Sequence, residues 1–228
     1  MKITSSHEQL LRAVSIAEKI SGKNLTLPVL NCLLLSAQNK TLTIRSTNLD
    51  LGVEIKLPVK VESEGEIAVP GGIFHNTLNA VYEGKAVELS TTDGNLVVKT
   101  PNSTTTIKAQ PHNDFPTIPQ AKGQKISLKA KLLIDGIKSV WYSASISSIK
   151  PELSSVYVYQ NDKKLYFVAT DSFRLAEKNI PLTGSVPDFD PLLIPLKNIP
   201  EILRVLENME DEVDIELTSN QFSISHNS

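Results

Sequence analysis

At 228 residues, 40% of them apolar and 5% aromatic, the chain is long enough to bury one or two cores, built chiefly from Leu, Ile and Val. A net charge of −2 excludes a strongly basic domain that grips nucleic acid over its whole surface, so any such contact is confined to a local face. The one cysteine, Cys32, excludes an intrachain disulfide framework; within LPVLNCLLL it reads as a buried thiol acting as a small hydrophobe.

The start, MKITSSHEQLL, lacks the apolar core of a signal peptide. No apolar stretch approaches the roughly 18 residues of a membrane span, so a cytoplasmic protein with no membrane partner is expected. A strand is predicted at residues 2–4. An amphipathic helix follows over 7–20, with Leu10, Leu11, Val14 and Ala17 on one face. Alternating strands then flank a polar turn at 38–40, and a further strand ends at Pro58. After Pro70 comes a second short helix, then a hairpin through 93–95 and a strand within NSTTTIKAQ. The stretch PHNDFPTIPQAKGQ, with three prolines and a glycine, reads as an extended linker.

Beyond the linker the same order recurs. Residues 27–59 align without a gap on residues 150–182, each position falling on the one 123 further along. Pro28 meets Pro151, Leu30 meets Leu153, Thr47 meets Thr170 and Pro58 meets Pro181. The second copy thus predicts a strand at 125–128 and a helix with Leu132, Leu133, Ile137 and Val140 on one face. Turns are expected at 161–163 and 219–221, a strand ending at Pro181, and a short helix after Pro195. Two copies of on the order of 120 residues are a domain-sized repeat. The predicted class is α+β, each copy an antiparallel sheet with two helices on one face. The boundary is placed near 122, giving domains over 1–121 and 122–228. The second copy stops where the first continues into its last strand, so it is read as lacking that strand.

The segments TLPVL, NDFP and VATDSFRLA, together with the MKIT start, resemble the bacterial DNA polymerase III beta subunit, the sliding clamp family. The resemblance covers essentially the whole chain. It implies tandem clamp domains, with a third domain absent from this chain, and subunits closing head-to-tail as a homodimer ring around duplex DNA. It implies no catalysis and no cofactor or metal, although such subunits are filed with a DNA-directed DNA polymerase. The implied partners are duplex DNA, encircled without sequence specificity, and the polymerase III alpha subunit, clamp loader and repair polymerases, which dock through short linear peptides.

Carried over by position, the peptide pocket would draw on Leu153, Thr170, Ser172, Phe173, Arg174 and Leu175. Leu153 and Leu175 offer apolar surface to peptide anchors, and Thr170 and Arg174 can hydrogen-bond a peptide. On the alternative reading, Asp171 and Arg174 form a local ion pair closing a turn, and Leu153 and Leu175 are core. Ser172 and Phe173 replace the family's frequent Gly-His. The DNA-facing candidates are Arg12, Lys19 and Lys23, then Lys129, Lys131 and Lys138, then Lys197 and Arg204; individually, each also reads as an ordinary solvated cation. Gly72, Ile73, Asn24 and Leu196 stand where the family often has cationic residues. Ile73 and Ile107 are candidates for the subunit interface, Ile107 alternatively pointing inward.

The residues also bear on two rival classes. A hydrolase needs clustered carboxylates or histidines, but His7, His75, His112 and His226 show no helical pairing. Asp188 and Asp190 sit in a turn, and Asp211 and Asp214 flank a strand. No Gly-rich phosphate loop, nucleophile elbow or Cys/His metal spacing is present. A duplicated protein-interaction scaffold without a DNA role is permitted by the repeat alone.

Overall fold

The computed structural model describes residues 1–22, 27–81, 86–119, 121, 123–182, 189–207, 209, 212–218 and 221–226. Lys23, Asn24, Asp188, Asp211 and most of the expected 219–221 turn lie outside the described residues. The chain divides into two compact units, Met1–Ile118 and Pro119–Ser228.

The first unit opens with β1 (Lys2–Ser6) and α1 (His7–Ile20), then a 3-10 turn at Pro28–Asn31. There follow β2 (Cys32–Gln38), β3 (Thr41–Thr47), β4 (Gly52–Pro58), β5 (Lys60–Ser63) and β6 (Gly65–Pro70). The unit closes with α2 (Gly71–Asn79), β7 (Ala86–Thr92), β8 (Asn95–Lys99) and β9 (Thr104–Ile107). Its strands divide between two sheets, in the orders β5-β1-β7-β8-β9 and β4-β3-β2-β6. Every pairing is antiparallel.

The period-2 pattern of β2 and β3 turns Leu33, Leu35, Leu42 and Ile44 to the core, where they meet Leu10, Ala13, Val14 and Ala17 of α1. Each such large aliphatic side chain contributes roughly 1.5–3 kcal/mol by leaving water. The buried stripe of α1 is Leu10, Ala13, Val14, Ala17 and Ile20. Leu11, expected within that stripe, is only partly buried, because the 3.6-residue period places Ala13 and Ile20 closer to the centre of the face.

Ile107 requires a correction. Expected as an interface candidate, it is 2% exposed and packs in the core, whereas Thr104, Thr105 and Thr106 of the same strand are exposed. Inward alternation on β9 gives it to its own unit.

The second unit contains β10 (Gln124–Lys129), α3 (Ala130–Val140), β11 (Ser155–Asn161), β12 (Lys164–Thr170) and β13 (Leu175–Pro181). It continues with β14 (Leu192–Pro195), α4 (Ile199–Leu206), β15 (Glu212–Leu217) and β16 (Phe222–Ser225). The sheets are β10-β15-β16 and β13-β12-β11-β14. The latter repeats the order β4-β3-β2-β6, and β11, β12 and β13 stand 123 positions after β2, β3 and β4.

The duplication extends to individual bonds. The β2–β3 turn places Asn39 and Lys40 at φ 49° and 62°, and the β11–β12 turn places Asp162 and Lys163 at 47° and 59°. Two successive left-handed residues make the tight turn whose twist matches that of the paired strands. Val59 N–H donates to Lys40 O at 2.9 Å, and Leu182 N–H donates to Lys163 O at 2.8 Å. Cys32 lies 1% exposed with Sγ 3.9 Å from Pro28 O, and burial pushes its thiol pKa up. Its counterpart Ser155 donates from Oγ to Pro151 O at 2.7 Å.

Packing differs by compensation. Ala13 and Ile44 correspond to Gly136 and Phe167, both buried. A Cβ at Gly136 would lie 2.2 Å from Phe167 Cε2, so the larger ring on β12 depends on the bare backbone of α3. Gly136→Ala is expected to destabilise the second unit by about 1–3 kcal/mol through overpacking. Adding Phe167→Ile, which restores the first unit's pairing, should recover part of that loss. Urea unfolding of the two single variants and the double variant measures the coupling.

Candidate functional site

Five of the six expected pocket residues lie in one turn, 170–174, and at its exit into β13. Within it Ser172 N–H donates to Thr170 Oγ1 at 3.1 Å, and Thr170 Oγ1 donates to Arg174 O at 2.7 Å. Phe173 and Arg174 both donate their backbone N–H to Asp171 Oδ1 at 3.0 Å. The Arg174 guanidinium reaches Asp171 Oδ2, also at 3.0 Å. The ion pair raised as an alternative is therefore present. Thr170 serves the turn itself, and Phe173 and Leu175 remain exposed, at 97% and 66%.

The same five-residue turn recurs at 47–51. Leu49 N–H donates to Thr47 Oγ1 and Thr47 Oγ1 donates to Leu51 O, while Asp50 and Leu51 donate to Asn48 Oδ1. Leu49 and Ser172 share a φ of 78°. That left-handed conformation favours glycine, which the resembled segment carries where Ser172 stands.

Leu153 is half-buried. Its N–H donates to Lys150 O at 3.0 Å and its carbonyl accepts from Ser145 N–H at 2.8 Å. Because Tyr157 faces Val168 in the β11–β12 register, the approach to β11 lies at the end of the sheet where β12 enters the turn. Backbone register thus brings Leu153 to the same end as the other five.

Sequence reasoning passed over a partly exposed aromatic face on this sheet. In SVYVYQ and LYFVAT the period-2 pattern turns Val156, Val158 and Phe167 inward and Tyr157, Tyr159 and Tyr166 to the opposite side. Tyr159 stacks on Tyr166 with ring centroids 4.9 Å apart, and Tyr157 lies 5.3 Å from Tyr159. The alternation was legible, but a tyrosine on a strand reads equally well as covered or bare.

The described cation candidates, Arg12, Lys19, Lys129, Lys131, Lys138, Lys197 and Arg204, are all exposed. Arg12 and Lys19 lie two turns apart on the open side of α1. Lys19 pairs with Glu18 at 3.1 Å, Lys138 with Glu207, and Arg204 with Glu201. Lys129 and Lys131 form no ion pair among the described residues. Ile73 of α2 is 56% exposed. His75 is half-buried, and the His7 ring Nε2 lies 2.9 Å from Leu78 O. Among the described residues no three His, Cys, Asp or Glu side chains gather as metal ligands, and no helix is long and apolar enough to cross a membrane.

Two antiparallel sheets and a helix pair, built twice, define a DNA-clamp fold. Solved beta subunits share it: those from Thermotoga maritima (TM-score 0.90, 24% identity, covering 99% of this chain and 62% of that one) and Caulobacter crescentus (0.91, 25%, 98% and 63%). The family model "DNA polymerase III beta subunit, N-terminal domain" matches residues 1–119, and its central-domain counterpart matches 127–228. The chain belongs to the DNA polymerase III beta subunit family. Curated relatives named beta sliding clamp include those of Caulobacter vibrioides (26% identical, covering 96% of this chain) and Staphylococcus aureus (25%, 97%). The chain spans about 60% of the length of the curated relatives it matches.

The Asp171 carboxyl is held below the usual aspartate range, first by the Arg174 backbone N–H, then by that of Phe173. A lowered folded-state value means that its stabilisation is present above the unfolded aspartate range and is lost as pH falls through the lowered value. The protection factors of the Phe173 and Arg174 amides, exchange rates taken relative to the intrinsic rate at each pH, are expected to fall across that acidic window. Asp171→Asn should keep both amides protected and remove the pH dependence of that protection, since Asn48 does the same work in the first unit. Asp171→Ala should lose the protection at every pH. NMR-detected exchange of the two amides is the measurement.

Proposed function

We propose that this chain supplies two modules of a DNA sliding clamp, a non-catalytic cytoplasmic protein that encircles duplex DNA and tethers replication enzymes to it. The observation that carries the reading is the duplicated clamp module, matched to the family's N-terminal and central domains along nearly the whole chain. Retention is by enclosure rather than by grip. A ring needs few phosphate contacts, and each phosphate neutralised would add a salt-dependent hold that opposes sliding. The exposed cations suit this role because Glu18, Glu207 and Glu201 already partner Lys19, Lys138 and Arg204. Arg12, Lys19, Lys129, Lys131, Lys138, Lys197 and Arg204 are together assigned to the DNA-facing side.

Partner enzymes and the clamp loader dock short linear peptides beside the 170–174 turn of the second unit. Exposed Phe173 and Leu175 receive apolar anchors, and Leu153 forms the floor. Thr170, Ser172 and Arg174 shape the rim by holding the turn. Exposed Ile73 contributes to the head-to-tail contact of a homodimer ring. Its exposure supports that assignment, because a lone large aliphatic side chain on α2 gains by burial at an interface.

The test is topological. Loaded on nicked circular DNA, the assembly should be retained through gel filtration at moderate salt and should be lost once the DNA is linearised. Equal retention on circular and linear DNA would overturn enclosure. Replacing Lys129 and Lys131 together by alanine should lower the slope of log binding against log salt by about 2 if both face phosphates. An unchanged slope removes them from the DNA side.

A further inference from the structure

In the first unit, the face of the sheet β4-β3-β2-β6 turned away from the core is sealed by the chain's own next segment. On that face Cys32, Leu34 and Ala68 are 1%, 6% and 0% exposed and pack beneath Phe115. The segment crosses the sheet from edge to edge. Gln110 N–H donates to Ala68 O at 2.9 Å, forming an antiparallel bridge on the edge strand β6. At the opposite edge Ile118 lies against Gly52 of β4, where a Cβ would come within 2.8 Å of Ile118 Cγ2. Residues 110–118 thus form a strap, with Phe115 and Ile118 as its two apolar anchors.

The strap seals this face without belonging to the core. None of residues 111–118 is itself buried: Pro111, Asn113, Asp114 and Thr117 are exposed, and His112, Phe115, Pro116 and Ile118 are half-buried. The main core of the unit, on the other side of the sheet, includes none of them. After Gln110, the one backbone bond that the strap makes among the described residues is internal, from Phe115 N–H to His112 O at 3.0 Å. Pro111 and Pro116 have no N–H to give. The ladders of β2 with β3 and β6, and of β3 with β4, are complete without it. A segment with few buried contacts and few bonds to its scaffold opens at a lower free energy than the scaffold unfolds.

We infer that residues 110–118 are a latch that lifts as one piece, hinged at Gln110, while the first unit stays folded, and that it sets the freedom of the tether leading into the second unit. Closed, the tether leaves the first unit at Ile118, where that unit ends. Open, it leaves at Gln110, and residues 111–118 join the tether, with a reach of about 28 Å at full extension. The two anchors act together. Each holds the short backbone between them against the sheet, so losing either one frees the other. The inference goes beyond the proposed clamp role and does not depend on it, since every contact it uses lies within the first unit.

Cys32 reports the latch, because it is the chain's one cysteine and its thiol is sealed beneath Phe115. Its modification by dithionitrobenzoate is timed in the 228-residue chain over a range of urea concentrations, with unfolding followed by circular dichroism. The rate is expected to stay flat at urea concentrations well below the unfolding transition, because lifting a strap exposes little surface. That measurement needs no variant. Phe115→Ala and Ile118→Ala should each raise the native-state rate about tenfold, and together little more than either alone. Ile118 meets β4, two strands away from Cys32 on β2, so its effect reads lifting of the strap and not a gap opened beside the thiol. Small-angle scattering of the double variant should show a wider spread of distances than the parent chain. A labelling rate that climbs with urea in step with unfolding overturns the inference, as does an Ile118→Ala variant that labels no faster than the parent. Unchanged scattering of the double variant overturns the tether role.

Discussion

One side-chain oxygen holds the corner of each four-stranded sheet. Asn48 Oδ1 and Asp171 Oδ1 each accept the two backbone N–H groups that follow at the second and third positions, and a threonine one residue earlier closes the ring. An Asn or Asp side chain that accepts its own following amides mimics a backbone turn, so the turn can be tight without a partner strand. The tight turn sets the register of β3 on β4 and of β12 on β13. A slip of one residue there would turn every core side chain outward. Inward placement of Leu42 and Ile44, or of Leu165 and Phe167, follows from that corner.

With the register set, the two units solve the same packing problem with different side chains. The second unit trades bulk on the helix for bulk on the strand, Gly136 and Phe167 standing where the first has Ala13 and Ile44. Total volume at the contact is kept while its distribution changes, as close-packed interiors require. Surface side chains have no such obligation. Leu49 and Asp50 at the tip of one turn become Ser172 and Phe173 at the tip of the other, and the chemistry shown to solvent changes while the backbone stays the same.

The functional proposal follows from this separation of frame and surface. A clamp needs a stiff repeated frame and only weak attraction to its cargo. The described cations, three of them already partnered by glutamates, fit weak attraction. In that proposal selective contact falls to the second unit, where exposed apolar groups sit on a turn held by its own hydrogen bonds. A pre-set turn loses little conformational freedom when a peptide arrives, which favours binding.

The sequence by itself determined the repeat, its frame of 123 positions, the strand ends at Pro58 and Pro181 and the inward face of each strand. These follow from local rules: period-2 alternation, turn residues able to adopt positive φ, and prolines that cannot continue a ladder. The Asp171–Arg174 ion pair closing the 170–174 turn was likewise legible, whereas the bonds from Thr170 and Asp171 to the turn's backbone came only with the structure. Tertiary structure alone decided which apolar residues are covered. Ile107 and Ile73 look alike in sequence, yet one packs in the core and the other faces solvent. Leu34 and Tyr157 occupy one position in the frame, yet Phe115 shields the first while the second stays partly open. Burial depends on what comes to lie across a face from elsewhere in the chain, and the period of a single strand carries no record of that.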